Sequence, residues 1–294
     1  MNEPPVEPPS EPLGLQEADL AEEVQARSRL GERLRAKEGP GLRELVGAVV
    51  VTFQDKDHVK LTVRRLLRDL GQVVVVDLGS EDGTARALRT AFPGLDVVSL
   101  TKESGFSAAV NAGMRRLTQP FVLATHGDAR LRPGAVERLY NAVCDRRDMV
   151  GCAGARLVSP SGLPEQAAGF RPSPRTRLVA RLRDLHPSFG RKRLKRPARF
   201  APAVMTHVDW VSAVAMMVRR DAFEQVGGMD DGFFLAYGDM DFCLRLRRAG
   251  WRVVCEARAR AIHLDRVEES GASRRAGRRR FYRRHGLRHW FVRG

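Results

Sequence analysis

Short apolar runs alternate with amphipathic stretches along the first half of the chain. The runs are rich in β-branched residues, which is typical of strands buried on both faces; they are AVVVTF (48–53), QVVVVDLG (72–79), DVVSL (96–100) and PFVLATHGD (120–128). The stretches between them carry apolar residues at helical spacing; they are HVKLTVRRLLRDL, SEDGTARALRTAF and GFSAAVNAGMRRL. Strands and helices in alternation predict an α/β fold, with a Rossmann-like parallel sheet covered by helices on both faces.

The second half of the chain is less regular. VDWVSAVAMMVRR (208–220) predicts a buried strand, and RDAFEQVGG predicts a short helix. DMDFCLRLRRAG predicts a further helix, and WRVVCEARARAIH predicts a strand that ends at His263. Residues 159–206 combine little periodicity with many basic side chains. We expect a long basic loop or lid there, because loops of this length are usually functional or disordered.

Two aspartates come directly at the ends of predicted strands. Asp77 closes the second apolar run and Asp128 closes the fourth. In α/β sheets of this kind, ligands bind beyond the carboxyl ends of the strands, so both aspartates are candidates for a binding site. The alternative is a turn or capping role, which is the commonest one for an aspartate after a strand.

Another pair of aspartates, Asp239 and Asp241, stands at the start of a predicted helix. One of them would be enough to cap the free backbone N–H groups of that helix. The aromatic residues Phe233, Phe234 and Tyr237 precede the pair, and a second carboxylate in an apolar setting is costly unless it is used. The pair therefore predicts a functional carboxylate at this helix start, with capping as the rival interpretation.

The ends of the chain and its cysteines bear on location. Residues 1–44 are predicted to be a disordered, acidic, proline-rich terminus followed by a charged helix, without the basic start and apolar run of a signal peptide. No apolar run has the length needed to cross a bilayer. The four cysteines form no C-x-x-C pair, so we expect reduced thiols rather than disulfides or a zinc site. These features predict a cytoplasmic protein.

Taken together, the motifs resemble those of family 2 glycosyltransferases of the GT-A fold, and most of all the bacterial branch with rhamnosyl- and galactofuranosyltransferases. Their order and spacing carry the resemblance, which runs from Gly47 to His263. The motifs are VVVTF, VVVVDLGSEDGT, SGFSAAVNAGM, LATHGDARLRP, WVSAVAMMVRRDAFEQVGGMDDGFF, YGDMDFCLRLRRAGW and ARAIH. The resemblance implies a GT-A domain over residues 45–265, followed by a basic C-terminal helix or tail over 266–294.

By position, the resemblance implies a donor and metal site. Asp77 matches the aspartate that contacts the nucleoside of a UDP- or dTDP-sugar, and Gly79 and Ser80 lie beside it, where glycine permits close approach. Asp128 matches the metal-binding aspartate, and His263 matches a histidine that completes the metal site. The implied cofactor is Mg²⁺ or Mn²⁺, which stabilises the charge of a diphosphate leaving group.

The same comparison of positions implies how the acceptor is activated. Asp239 matches a presumed general base, which takes the proton of the attacking hydroxyl in a single, inverting displacement. Asp241 is interpreted as a helix cap or a second acceptor contact. Asn111 is expected to bond the loop near the donor, with a solvated helix surface as the alternative. Trp210 is expected to stack on a sugar, or else to lie in the core.

Several positions depart from the family pattern. Gly238 stands where the family has Glu, Leu78 where it has Asn or Asp, and Glu103 where it often has Asn. His126 and Gly127 precede Asp128, so a full Asp-x-Asp motif is absent. The changes at Gly238, Leu78 and Glu103 motivate an alternative in which the chain is a catalytically weakened GT-A scaffold that binds without turnover.

Charge indicates the kind of partner. The net charge is +16 with an isoelectric point near 10.9, and such a balance favours anionic partners. The expected partners are a nucleotide-sugar donor, a glycan or lipid-linked acceptor, and an anionic membrane at whose inner face the protein is peripheral. The tail RRRFYRRHGLRHWF interleaves arginine with aromatic residues, as single-strand nucleic-acid binders do. Since no nucleic-acid module surrounds it, nucleic acid ranks below these partners.

Overall fold

The computed structural model describes residues 41–145, 147–170, 202–264 and 271–285. Three expectations lie largely outside these ranges: the terminus and charged helix over 1–44, the greater part of the basic loop over 159–206, and the end of the basic tail. The strands within the described residues are β1 (Val46–Thr52), β2 (Gln72–Asp77), β3 (Asp96–Ser99), β4 (Phe121–His126), β5 (Ala129–Leu131), β6 (Val150–Val158), β7 (Ala168–Gly169), β8 (Thr206–His207), β9 (Trp210–Val211), β10 (Ala215–Arg219) and β11 (Arg252–His263).

Helices separate most of these strands. They are α1 (Leu42–Leu45), α2 (Lys56–Asp69), α3 (Thr84–Ala91), α4 (Gly105–Met114), α5 (Ala135–Cys144), α6 (Arg220–Gln225), α7 (Gly238–Arg248) and α8 (Gly271–Arg284), with a 3-10 turn at Lys102–Ser104 before α4. Among the described residues, no helix combines the length and the apolar character that crossing a membrane requires.

The described part of the chain forms one nine-stranded sheet in the order β3-β2-β1-β4-β10-β6-β11-β5, with β8 paired to β11. The strands β1 to β4 are parallel, as the alternating pattern predicts. Beyond β4 the sheet is mixed, because β10 runs antiparallel to both β4 and β6. The single strand predicted over 208–220 is instead two: β9 pairs with β7 outside the main sheet, and β10 enters the sheet.

Both faces of the sheet are buried. Successive residues of β1 alternate between two apolar clusters: Val46, Ala48 and Val50 pack on one side, and Val49 and Val51 on the other. All of β1 is buried, and burying one valine side chain fully contributes roughly 1.5–3 kcal/mol. The α/β prediction with helices on both faces is therefore confirmed, and the sheet gives a rigid base to the loops at its carboxyl edge.

At the start of α7, the N-cap position is not occupied by either of the two aspartates. The residue that precedes the helix is Tyr237, whose φ of 73° is left-handed and unusual for a non-glycine residue. Asp239 and Asp241 both lie inside the first turn, and no side chain caps the helix. An acidic first turn still favours the helix through its dipole, but the N-cap role weighed for either aspartate is wrong.

Candidate active site

Three potential metal ligands converge beyond the carboxyl end of β4. His126 closes β4, Asp128 follows two residues later, and the pairing of His263 with Ala129 between β11 and β5 brings His263 beside them. One ligand atom from each of the three lies within 4.8 Å of the others. His263 Nε2 is 3.4 Å from Asp128 Oδ2, and His126 Nδ1 is 3.9 Å from Asp128 Oδ1. The structure thus brings together the two metal residues that the sequence indicates.

The third member, His126, was missed as a ligand by sequence reasoning, which treated it only as a departure from the family pattern. Burial, and then the nearby His263, lower the pKa of His126 to about 3, so the imidazole is neutral and has a lone pair for coordination. The ring of Phe106 packs 4.7 Å from that of His126. The sequence carries one signal for His126: it stands two residues before Asp128 at the end of a predicted strand.

A further layer supports His263. Its Nδ1 lies 3.5 Å from Glu165 Oε2 while its Nε2 faces Asp128. A carboxylate behind a ligating imidazole fixes the ring and raises its basicity. One carboxylate and two imidazoles form a donor set that fits a divalent cation, and imidazole suits transition metals better than Mg²⁺. These residues therefore fit the implied Mn²⁺ more closely than the implied Mg²⁺.

The loop after β2 is organised by Asp77. This buried carboxylate accepts hydrogen bonds from Ser80 N (3.0 Å) and Ser80 Oγ (2.5 Å). Gly79 between them has φ 68°, and an added Cβ would lie 3.2 Å from Lys102 N. Ser80 Oγ in turn accepts a hydrogen bond from Gln54 N at 2.8 Å. Asp77 therefore shapes the loop beside it, and the contact of Asp77 with the nucleoside that the resemblance implies stays a prediction.

A fourth carboxylate, Asp55, lies between this loop and the three metal candidates. A Cβ added to Gly127 would lie 2.7 Å from Asp55 Oδ2 and 3.0 Å from Thr52 Oγ1. Both of these oxygens are buried and have no hydrogen-bond partner within the described residues. Burial and then the charge of Asp128 raise the pKa of Asp55 to about 6, with His58 opposing. Sequence reasoning missed Asp55, since it falls in a loop without periodicity.

Asp239 lies half-buried at the first turn of α7. Burial raises its pKa to about 6, and backbone N–H groups of Met240 and Ala213 offset part of this rise. A carboxyl group with this pKa is mostly ionised at neutral pH yet basic enough to accept a proton. The family's Glu is replaced by Gly238, and an added Cβ there would lie 2.5 Å from Ser107 Oγ. The lack of a side chain at Gly238 thus allows α7 to pack closely on α4.

Asp239 is linked to the metal candidates indirectly, through contacts of neighbouring residues. Ala213, which donates to Asp239, precedes Val214, whose carbonyl accepts from His126 N at 3.2 Å. On the other side, Phe106 N donates to Phe234 O at 2.6 Å, and the ring of Phe106 contacts His126. Asp239 and the three metal candidates therefore belong to one region of the molecule.

Asn111 makes its contacts within the protein. Its Nδ2 donates to Met229 O (2.8 Å) and Asp231 Oδ1 (2.5 Å), and its Oδ1 accepts from Met229 N (2.9 Å). These bonds connect α4 to the segment before α7, and they engage both the NH2 group and the oxygen of the Asn111 amide. Such contacts are those of a residue that orders a loop, and a role of Asn111 near the donor stays a prediction.

Trp210 and Asp241 are also engaged with protein. The indole of Trp210 packs against Gly169 across the β7–β9 pair and borders the apolar core. Asp241 is fully buried and its two oxygens face Arg245 and His285. The core interpretation of Trp210 agrees with this placement.

A sheet with helices on both faces and a His–carboxylate cluster at its carboxyl edge is what the resemblance to GT-A glycosyltransferases leads one to expect. The sequence profile of glycosyl transferase family 2 matches residues 48–227, which is more than half of the chain, and the chain belongs to that family.

Relatives with known names agree with the class. Over 241 residues the chain is 27% identical to an N-acetylglucosaminyl-diphospho-decaprenol L-rhamnosyltransferase of Mycobacterium tuberculosis, covering 76% of each chain. It is 43% identical over 58 residues to the rhamnosyltransferase WbbL of Escherichia coli, covering 20% of this chain and 22% of that one. The structure of GalNAc-T7 with UDP, GalNAc and Mn²⁺ shares the fold, with a TM-score of 0.55 and 12% identity over 85% of this chain and 52% of that one.

Proposed function

We propose that the protein is an inverting, metal-dependent glycosyltransferase that moves a sugar from a UDP- or dTDP-sugar to a hydroxyl of a lipid-linked or polysaccharide acceptor. The observation that carries the proposal is the placement of His126, Asp128 and His263 in one region with Asp239. The mycobacterial relative is named for rhamnosyl transfer to a diphospho-decaprenol acceptor, which supports a lipid-linked acceptor for this chain as well.

The proposed chemistry divides between these residues. Asp128, His126 and His263 would hold the divalent cation, preferably Mn²⁺, which when bound neutralises the charge of the departing diphosphate. Asp239 takes the proton from the acceptor hydroxyl, which makes the oxygen nucleophilic. Attack from the face opposite the leaving group inverts the anomeric carbon. Asp77 and Ser80 hold the donor loop in shape, with Gly79 allowing the nucleoside to approach the backbone.

A thermal-shift screen of nucleotide sugars with and without Mn²⁺ tests this function. A donor present at about 100 times its Kd stabilises the folded state by about 2.7 kcal/mol, and we expect the unfolding temperature to rise by roughly 5–10 °C when Mn²⁺ is present. Donor consumption measured in the same samples separates an enzyme from a scaffold that only binds, the alternative that Gly238 motivates. The absence of a shift with every UDP- and dTDP-sugar would contradict the proposal.

The pKa of Asp239 predicts the pH dependence of transfer. Its value of about 6 lies above the ordinary 3.8, and only the ionised form accepts a proton. We therefore expect kcat/KM to rise with pH through about 6 and to level off above it, in steady-state measurements at saturating Mn²⁺. Asp55 has a similar pKa, so Asp55→Asn is the control: the acid limb should persist in that variant. Loss of the limb in Asp55→Asn would assign the titration to Asp55 instead.

We also propose that the protein associates peripherally with an anionic membrane surface. The net charge of +16 and the lipid-linked acceptor of the mycobacterial relative support this contact. We expect the protein to pellet with vesicles that contain phosphatidylglycerol and to stay in solution with purely zwitterionic vesicles, with binding weakened by salt. Equal recovery with both vesicle types, or preferential binding to single-stranded RNA, would contradict the membrane proposal.

A further inference from the structure

The basic C-terminal helix α8 packs on the segment that leads to Asp239. We call residues 229–238 the base loop. Arg280 Nη2 and Nε donate to the carboxylate of Asp230 at 2.7 and 3.2 Å, and Arg284 Nη1 also contacts it. Asp230 accepts a further bond from Gly232 N at 2.9 Å within the loop itself. The start of the base loop is thus tied to α8 by charge-assisted hydrogen bonds, which are stronger than neutral ones.

The far side of Asp239 is tied to the same helix. Asp241 is fully buried, and its Oδ1 lies 2.9 Å from His285 Nε2 and 3.4 Å from Arg284 Nε. Its Oδ2 accepts from Arg245 Nε at 2.8 Å. Burial raises the pKa of Asp241, but the bonds from His285 and Arg245 and the charge of Arg284 outweigh it and hold the pKa below its usual range. Asp241 is therefore a buried charge that depends on its partners.

Arg284 contacts both aspartates. It reaches Asp230 through Nη1 and Asp241 through Nε, so one guanidinium joins the start of the base loop to the first turn of α7. The fixed fork of an arginine suits two acceptors in this way, whereas a lysine ammonium is a single point charge. Asp239 lies between these two aspartates in the chain and in the same turn of α7 as Asp241.

Apolar contacts add to this connection. Phe281 is 1% exposed and forms a small core with Phe233 and Leu244, and its ring lies 5.6 Å from that of Tyr237. A Cβ added to Gly277 would lie 2.9 Å from Ala236 O, so α8 approaches the loop backbone closely. The base loop is therefore held from the side of α8 along most of its length.

We propose that α8 positions the catalytic base: Arg284 and His285 are positioning residues that fix the base loop and the first turn of α7, and through them the carboxylate of Asp239. This inference rests on the proposed role of Asp239 as the base. The inference also assigns a role to part of the arginine-rich tail, which the sequence associates with anionic partners. Arg280, Arg284 and His285 face aspartates of the same chain, whereas Arg279 on the same helix forms no ion pair within the described residues.

The test compares Arg284→Ala and His285→Ala with Arg279→Ala, a control with the same helix and the same charge change as Arg284→Ala. We expect kcat to fall at least tenfold in the first two variants, with Mn²⁺-dependent donor affinity in calorimetry within twofold of wild type. Hydrogen exchange should quicken in residues 229–241. The conservative variants Arg284→Lys and His285→Gln should recover part of kcat, since Gln retains a donor near the position of Nε2.

The outcomes separate the possibilities. An unchanged kcat in Arg284→Ala and His285→Ala would overturn the inference. A loss of kcat that Arg279→Ala shares would also overturn it. The same holds for a loss of kcat that only follows a loss of folded protein and of donor affinity. If an alanine variant does not fold, the conservative variant at the same position, Arg284→Lys or His285→Gln, is measured in its place. Wild-type kcat together with wild-type hydrogen exchange in both conservative variants would also overturn the inference. Asp239→Asn is assayed in parallel: wild-type turnover in that variant would refute the role of Asp239 as the base, on which this inference rests, while the exchange data would still report whether α8 orders the loop. A failure of the proposed function itself would instead appear as the absence of donor turnover in the wild-type protein.

Discussion

Asp239→Asn is expected to lower kcat by about 10²–10⁴-fold, with the affinity for the nucleotide sugar within twofold of wild type. The carboxylate would accept the proton of the acceptor hydroxyl as the new bond forms, and an amide of nearly the same shape has no comparable basicity. The proposed donor site lies near β2 and β4 instead, so donor affinity should be retained. The measurements are initial rates of transfer to a diphospho-lipid acceptor and calorimetric titration of donor.

Asp221→Asn is the matched control for this variant. The side chain of Asp221 is 57% exposed, and its substitution makes the same chemical change at the start of α6. We expect near wild-type turnover from it. Wild-type turnover in Asp239→Asn as well would remove Asp239 from the role of base, whatever its pKa.

Asp128→Ala is expected to weaken Mn²⁺ binding by at least about 100-fold. Mutating groups that only orient a metal ligand already costs 10–100-fold in affinity, and Asp128 is the one carboxylate of the three candidates. Donor affinity measured by calorimetry should lose its dependence on Mn²⁺ in this variant. Electron paramagnetic resonance of Mn²⁺ without donor gives the metal affinity independently of activity.

Glu165→Gln provides a graded comparison. Glu165 faces the far nitrogen of His263, so its loss should weaken Mn²⁺ binding by about 10–100-fold, less than the loss of Asp128. If wild-type donor affinity is the same with and without Mn²⁺, the assignment of Asp128, His126 and His263 to a metal fails.

Local patterns in the sequence predict the first half of the fold well. The strands β1 to β4 are continuous apolar runs, and parallel pairing follows from the helices between them. The aspartates at strand ends, Asp77 and Asp128, could be recognised for the same reason. The pattern fails after β4, where β10 runs antiparallel, because the direction of a strand depends on pairing partners far along the chain.

Other parts of the candidate site could not be predicted from local sequence patterns. His126 and His263 are far apart in the chain, and only the antiparallel pairing of β11 with β5 brings them together. Asn111 was expected to bond the loop near the donor, and it bonds the segment at Met229, as the fold decides where its helix face is turned. Arg284 and His285 look like members of a solvated basic run until the burial of Asp241 is known.

The tight contact between Gly238 and Ser107 has a consequence for how this sequence can diverge. Restoring the family's Glu at 238 places a Cβ 2.5 Å from Ser107 Oγ and 3.3 Å from Phe233 Cβ, so the buried hydroxyl must rotate away or be deleted first. We therefore expect the two positions to be coupled: a substitution at 238 requires either a different rotamer of Ser107 or a smaller residue at 107. Homologues that carry Glu at the first position should be enriched in glycine or alanine at the second, and those with Gly should tolerate serine.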